Sequence, residues 1–375
     1  MSPRRLLIVT NDFPPRQGGI QSFVHELARR LPADQVAVYA SDHPGAAAFD
    51  AEQGFPVRRH PGGLLVPTPT ARRRVLQARE DFGSTAVWFG ASAPLGLLAA
   101  SLRRAGVRRM VASSHGHEAG WAMLPGARQA LRRIGNQVDV VTYLAEYTRQ
   151  RLAGAFGPHA TLVQLTPGVD VAAFAPSVAG DAVRQRYGLA GRPVVVCVSR
   201  LVPRKGQDVL IQAMPAIAAR VDQAALLIVG GGPYEQRLRA LARQAGVADR
   251  VVFTGPVPAG ELPEHFAAGD VFAMPCRTRR FGMDVEGLGI VYLEASATGL
   301  PVVAGNSGGA PDTVRQGITG LVVDGRDVAA VAHQVGGLLA DPARAAMMGT
   351  AGRQWTEQSW QWNTMADRLA GLLQL

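Results

Sequence analysis

Val194-Val-Val-Cys-Val-Ser-Arg-Leu-Val-Pro-Arg-Lys-Gly-Gln207 carries three signals in succession. An apolar run, Val194–Ser199, reads as a buried strand. A basic loop follows it, and a helical pattern over Gln207–Arg220 closes the unit. Strand, loop and helix repeat downstream. Ala224–Gly230, Val251–Thr254, Val271–Met274 and Pro301–Ala304 read as strands, and Gln236–Ala245, Leu262–Ala268 and Val291–Ala297 as helices between them. This alternation predicts an α/β domain with a parallel sheet. The first half shows it too. Leu6–Val9, Val36–Ala40, Ala86–Phe89, Arg109–Ser113 and Val138–Tyr143 are strand candidates. Ile20–Leu31, with Phe23, Val24, Leu27 and Leu31 on one face, reads as a helix, as do Leu95–Arg104 and Arg128–Gly135. A linker near Pro167–Asp170 separates two domains, 1–167 and 168–354, and 355–375 has an amphipathic helical pattern.

A chain of 375 residues suits two α/β domains better than one core. Its longest apolar runs are of strand length, far short of the roughly 18–20 residues that span a bilayer. Met1–Arg5 leads directly into Leu6–Val9, without the longer apolar region and cleavage site of a secretory signal. The cysteines are Cys197 and Cys276; the first lies inside an apolar run and reads as a core residue, and two such thiols suit a reducing compartment. The net charge of +10 is unevenly spread: residues 1–167 hold 20 arginines against 11 acids, whereas residues 168–375 are nearly balanced. Clusters lie at Arg72–Arg74, Arg103–Arg104, Arg108–Arg109 and Arg128–Arg133. They read either as solvated helix faces or as a surface for an anionic partner, a phospholipid layer or a phosphorylated substrate. No nucleic-acid-binding motif accompanies the charge, so no nucleic-acid partner is expected.

Four blocks carry chemistry. Gly18-Gly19-Ile20 sits between the first strand and the first helix, where it forms either a plain tight turn or a backbone approach to an anion. It lacks the GxGxxG and P-loop patterns, which speaks against a dinucleotide-dependent dehydrogenase. Arg200 and Lys205 bring two cations to the carboxyl edge of a sheet, and Lys205 is the one lysine beside 38 arginines. A compact ammonium there suits a diphosphate leaving group. Glu286-Gly-Leu-Gly-Ile-Val-Tyr-Leu-Glu294 places a glutamate on either side of a glycine-rich helix start. If wholly helical, that spacing spans roughly 12 Å, about the separation between the sugar and the ribose of a sugar nucleotide. The amides of Leu288, Gly289 and Ile290 would then face the diphosphate between them. His115-Gly-His117-Glu118 follows another strand and reads as a polar contact, a structural turn or part of a metal site. A His-x-His metal site needs further ligands, and none is evident nearby. Asp284-Val-Glu286 looks superficially like a metal–diphosphate motif, but Arg200 and Lys205 already provide the countercharge.

Gly18–Gly19, His115, Arg200 with Lys205, the Glu286/Glu294 pair and Ser307-Gly-Gly-Ala-Pro311 together resemble glycosyltransferase family 4, over essentially the whole chain. Within it, Thr10–Ile20, Ser114–Glu118, Ser199–Gln207 and Asp284–Glu294 are similar to the PimB-type phosphatidylinositol mannosyltransferases of actinobacteria. The chain departs from that pattern at Arg280-Phe281-Gly282, where a more glycine-rich loop is expected. The resemblance implies the GT-B fold: α/β, two Rossmann-like domains facing each other across a deep cleft, the last helix crossing back to the first domain. It implies a retaining transfer of mannose from GDP-mannose to a phosphatidylinositol monomannoside. His115, Arg200, Lys205 and Glu286 would be catalytic. Gly18, Gly19, Arg200 and Lys205 would meet the diphosphate, with Gly287, Leu288, Gly289 and Ile290. Glu286 would hold sugar hydroxyls, Glu294 the ribose, and Thr254, Gly255 and Val257 would lie near the base. Asp12, Arg16 and His117 would be on the acceptor side. Neither a metal nor a cofactor is implied, and the expected location is the cytoplasm, peripheral to the inner face of the plasma membrane. The paired glutamates do not distinguish bases or sugars, so a family-4 enzyme using a UDP-sugar and another acceptor shares every one of these blocks. A sugar-nucleotide epimerase and a catalytically silent nucleotide- or lipid-binding protein are the further alternatives.

Overall fold

The computed structural model describes residues 4–116 and 118–375. The chain forms two compact units, Met1–Gly168 with Trp362–Leu375, and Val169–Gln361.

The first unit is built on a parallel sheet of seven strands: β1 (Leu6–Thr10), β2 (Val36–Ser41), β3 (Val57–His60), β4 (Ala86–Phe89), β5 (Arg109–Ser113), β6 (Val140–Tyr143) and β7 (Leu162–Gln164). Their spatial order is β3-β2-β1-β4-β5-β6-β7. Leu6 pairs in register with Val36 on one side and Ala86 on the other. Successive residues of a strand point to opposite faces. Leu7, Val9, Val87 and Phe89 therefore enter one core, with Ala71, Val75 and Ala78 of the helix Pro69–Phe82. Leu6, Ile8, Ala86 and Trp88 enter the other, with Phe23, Val24 and Leu27 of the helix Gly19–Ala28. Burial on both faces is why these strands read as continuous apolar runs.

The end of the chain belongs to this second core. Met365, Ala366, Leu369 and Leu373 of the helix Trp362–Leu373 are buried there, and Arg109 Nε donates to Leu372 O at 2.7 Å. The single helical pattern expected over 355–375 is thus two helices, Pro342–Ser359 and Trp362–Leu373. The first closes the second unit and the chain crosses at 361–362, not at 354–355. Val169 breaks the pattern: its amide donates to Trp360 O at 2.7 Å and it bridges to Gln361, taking the carbonyl that a continuing helix would use.

The second unit has six parallel strands: β8 (Val194–Val198), β9 (Ala225–Val229), β10 (Val251–Gly255), β11 (Val271–Met274), β12 (Val302–Gly305) and β13 (Gly320–Val323). Their order is β10-β9-β8-β11-β12-β13. The direction of winding reverses between β8 and β11, and the loops that leave the carboxyl ends of those two strands are neighbours. Open α/β sheets bind ligands at such a point.

Candidate active site

Residues 199–206 leave β8 and residues 275–289 leave β11. Gly206, at φ +80°, allows them to touch: a Cβ on it would lie 2.1 Å from Pro275 O. The Arg277 amide donates to Arg204 O at 2.8 Å. The Arg277 guanidinium grips Asp208 with both nitrogens, Nη1 to Oδ1 at 2.9 Å and Nη2 to Oδ2 at 2.6 Å. Asp208 lies in the first turn of the helix Gln207–Arg220, so the two loops are fastened through that helix.

Glu286 is the centre of this arrangement. It is buried, and its Oε2 receives Lys205 Nζ at 2.7 Å and Arg204 Nη1 at 2.6 Å. Its amide donates to Ser307 Oγ at 3.3 Å and its carbonyl accepts from the Gly309 amide at 2.9 Å. Among the described residues Glu286 Oε1 has no hydrogen-bond partner, which leaves it open to a ligand hydroxyl. Arg204 Nε also meets Asp284 Oδ1 at 3.2 Å.

Immediately after Glu286 the backbone turns to start the helix Ile290–Thr298. Gly289 makes that turn at φ +85°, where an added Cβ would lie 2.5 Å from the Tyr292 ring. The amides of Gly287, Leu288, Gly289, Ile290 and Val291 donate to no acceptor among the described residues. Free amides at a helix start form a ready site for an anion. Glu294 lies in the second turn of this helix. Because Asp284–Gly289 is not helical, the straight-helix spacing expected between the two glutamates does not apply. Glu294 is half-buried, its carboxylate has no partner among the described residues, and desolvation pushes its pKa up to about 7.

The other expected residues of this unit are less engaged. Arg200 is exposed and its guanidinium has no partner among the described residues, although Gln207 Nε2 holds its carbonyl at 3.1 Å. Thr254, Gly255 and Val257 lie at and just beyond the carboxyl end of β10, with Thr254 Oγ1 donating to Gly255 O at 2.7 Å. Burial pushes the Cys276 thiol up to about 11 and the Cys197 thiol up to about 12, so both are inert core groups.

In the first unit, His115 follows β5. Its Nε2 lies 2.6 Å from Gly90 O, at the end of β4, and its ring meets Phe23 edge-on at 5.1 Å. The residue that shapes this loop is Glu118, fully buried. Its carboxylate accepts from Ser92 Oγ at 2.7 Å, Ser114 Oγ at 2.9 Å, the His115 amide at 3.2 Å and the Gly116 amide at 3.1 Å. His117 lies outside the described residues. At the end of β1, Asp12 Oδ1 accepts from Gln21 Nε2 at 2.8 Å, and Arg16 is exposed. The amides of Gly18 and Gly19, opening the helix Gly19–Ala28, have no acceptor among the described residues.

The ion pairs of Arg204 with Asp284 and Glu286 and the buried carboxylate of Glu118 are not legible in the sequence. Arg204, Asp284 and Glu118 all stand inside the blocks singled out above, but nothing local distinguishes an arginine on a carboxylate from a solvated one. Among the described residues no three His, Cys, Asp or Glu side chains gather as metal ligands, and no helix is long and apolar enough to cross a membrane.

The arrangement gathers cationic side chains, a buried carboxylate and free backbone amides at the carboxyl edge of a doubly wound sheet, the place where open α/β sheets bind ligands. Residues 17–173 match the family model described as Glycosyltransferase Family 4, and residues 181–355 match that of Glycosyl transferases group 1. The chain belongs to glycosyltransferase family 4. It is 59% identical, over 98% of each chain, to the GDP-mannose-dependent alpha-(1-6)-phosphatidylinositol monomannoside mannosyltransferase of Mycolicibacterium smegmatis. It is 48% identical, over 99% of this chain and 98% of the relative, to the GDP-mannose-dependent monoacylated alpha-(1-6)-phosphatidylinositol monomannoside mannosyltransferase of Corynebacterium glutamicum. Among solved structures, Anabaena HepE in complex with UDP matches with a TM-score of 0.80 at 22% identity, over 99% of each chain, which supports the GT-B fold.

Proposed function

We propose that this chain is a retaining α-mannosyltransferase that moves mannose from GDP-mannose to a phosphatidylinositol monomannoside. The observation that carries the reading is the 59% identity over 98% of both chains to a relative named for that activity. The arrangement around Glu286 supports it. In this reading Lys205 and Arg200 take up the charge that develops on the departing GDP, with the free amides that follow Glu286. The open Oε1 of Glu286 accepts hydrogen bonds from the sugar, His115 contacts the sugar, and Glu294 holds the ribose. Thr254, Gly255 and Val257 lie near the base, and the Gly18 and Gly19 amides add donors for the diphosphate. The acceptor hydroxyl bonds to the anomeric carbon on the face from which the phosphate leaves, and a phosphate oxygen takes its proton. The configuration is retained without a dedicated enzyme base. Cationic side chains supply the countercharge, so the reaction requires no metal.

The acceptor is a lipid, and we propose that the protein reaches it from a membrane surface, on the cytoplasmic side. Met123 and Leu124 are exposed at 66% and 62%, and the adjoining helix Pro125–Gly135 presents Arg128, Arg132 and Arg133 to solvent. Apolar tips beside arginines suit an anionic lipid layer. Asp12 and Arg16 are the acceptor-side residues of this reading.

The test is incubation of the protein with GDP-mannose and phosphatidylinositol monomannoside in detergent, beside a Lys205→Ala control. A dimannoside that disappears in the control is the expected result. Hydrolysis of GDP-mannose without a lipid product would overturn the acceptor. Turnover of a UDP-sugar alone would overturn the donor as well.

A further inference from the structure

Lys205 and Glu286, to which separate roles fall during transfer, are paired with each other in the structure, Nζ to Oε2 at 2.7 Å. A diphosphate that draws off the ammonium would strand a carboxylate whose side chain is only 8% exposed. A buried carboxylate without a countercharge is strongly disfavoured and loses its charge or its place. The same oxygen, however, already has a second cation, Arg204 Nη1 at 2.6 Å.

We infer that Arg204 is the positioning residue of the donor site: it keeps Glu286 paired and aimed at the sugar while Lys205 serves the diphosphate. Its geometry fits the task. The guanidinium spans two acids, Nη1 on Glu286 and Nε on Asp284 at 3.2 Å, which a lysine ammonium cannot do in the same plane. Its backbone carbonyl is held by the Arg277 amide at 2.8 Å, and Arg277 is itself clamped by Asp208. Arg204 is thus fastened to both loops, and its side chain is turned to the carboxylates, leaving Oε1 of Glu286 unobstructed. The inference deepens the proposed mannosyl transfer and rests on Glu286 receiving the sugar.

The experiment is calorimetric titration of GDP and of GDP-mannose into wild type, Arg204→Met, Arg204→Lys and Asp284→Asn, with turnover measured on the same preparations. The expected result for Arg204→Met is GDP affinity within about 3-fold of wild type, loss of the extra affinity that mannose confers, and a kcat lower by about 10–100-fold, the cost of misaiming one group. Arg204→Lys restores the mannose increment only in part, and Asp284→Asn shows the same loss in smaller degree. GDP affinity falling in parallel with turnover would make Arg204 a phosphate ligand and overturn the inference; an unchanged Arg204→Met would overturn it too. Should Arg204→Met fail to fold, Arg204→Lys and Asp284→Asn decide by the same criterion, a selective loss of the mannose increment. Failure of the mannosyl reading is distinct, because it appears in wild type as absence of GDP-mannose turnover; UDP and UDP-glucose then replace the two ligands in the same comparison.

Discussion

If Glu294 holds the ribose as proposed, donor binding depends on pH in a way that one substitution should abolish. Burial lifts its carboxyl from 4.5 to about 7. With that value the ionised fraction rises from about 1% at pH 5 to about a half at pH 7 and about 97% at pH 8.5. Ribose hydroxyls donate best to the ionised form. Affinity for GDP-mannose should therefore rise with pH, by up to roughly 100-fold between pH 5 and 8.5 where only the carboxylate binds. GDP-mannose is the right probe, since both of its phosphates are esterified and neither titrates in this range. Stability moves the other way. A carboxyl whose folded value exceeds its unfolded one costs nothing below about 4.5, destabilises the fold increasingly as pH rises from there to about 7, and reaches its limit of about 3 kcal/mol above that. Glu294→Gln should thus flatten the affinity profile in calorimetry and raise the unfolding midpoint in urea strongly at pH 8.5 and only slightly at pH 5. A slope that survives in Glu294→Gln would refute the reasoning, as would a flat profile in wild type.

Gly289→Ala puts a side chain at φ +85° and 2.5 Å from the Tyr292 ring; strain of roughly 2–3 kcal/mol is expected, read as a lower urea midpoint with weakened GDP binding. Glu118→Gln turns an amide nitrogen towards donors that now share one carboxylate; a loss of about 2–4 kcal/mol and slower turnover should follow, measured by urea unfolding and product formation. Leu369→Ala empties a fully buried position of the last helix in the core of the first unit. A cost of about 2–5 kcal/mol and proteolytic release of the chain end are expected, and resistance equal to wild type would count against that packing.

The strands of both sheets were legible because burial on two faces writes a continuous apolar run, and Ala86–Phe89, Arg109–Ser113 and Val271–Met274 were read to the residue. So was the helix Gln207–Arg220, whose apolar side chains recur at helical spacing. The edge strand Val57–His60 escaped because it carries Arg58 and Arg59, and its solvated side needs no apolar pattern. The helix Pro69–Phe82 escaped because it buries only Ala71, Val75 and Ala78, too small a stripe to stand out among its arginines. β7 has three residues, none of them fully buried, β13 opens on a glycine after a polar turn, and the break at Trp360–Gln361 lies in an uninterrupted helical pattern.

At the site the same division holds. The glycine-rich turn, the lysine and both glutamates stand out by residue type, because a backbone that must approach an anion and a side chain that must carry charge tolerate few alternatives. Arg204 is one of 38 arginines, and its distinction is a contact with Asp284 and Glu286 some 80 positions away. Strand order makes that contact: β8 lies beside β11, so the loops that follow them meet. Glu118 likewise owes its role to Ser92, brought near by the pairing of β4 with β5. Local sequence records which side chains are buried and where the backbone turns. Which charges face each other depends on the register of strands distant along the chain, and only the folded sheets establish it.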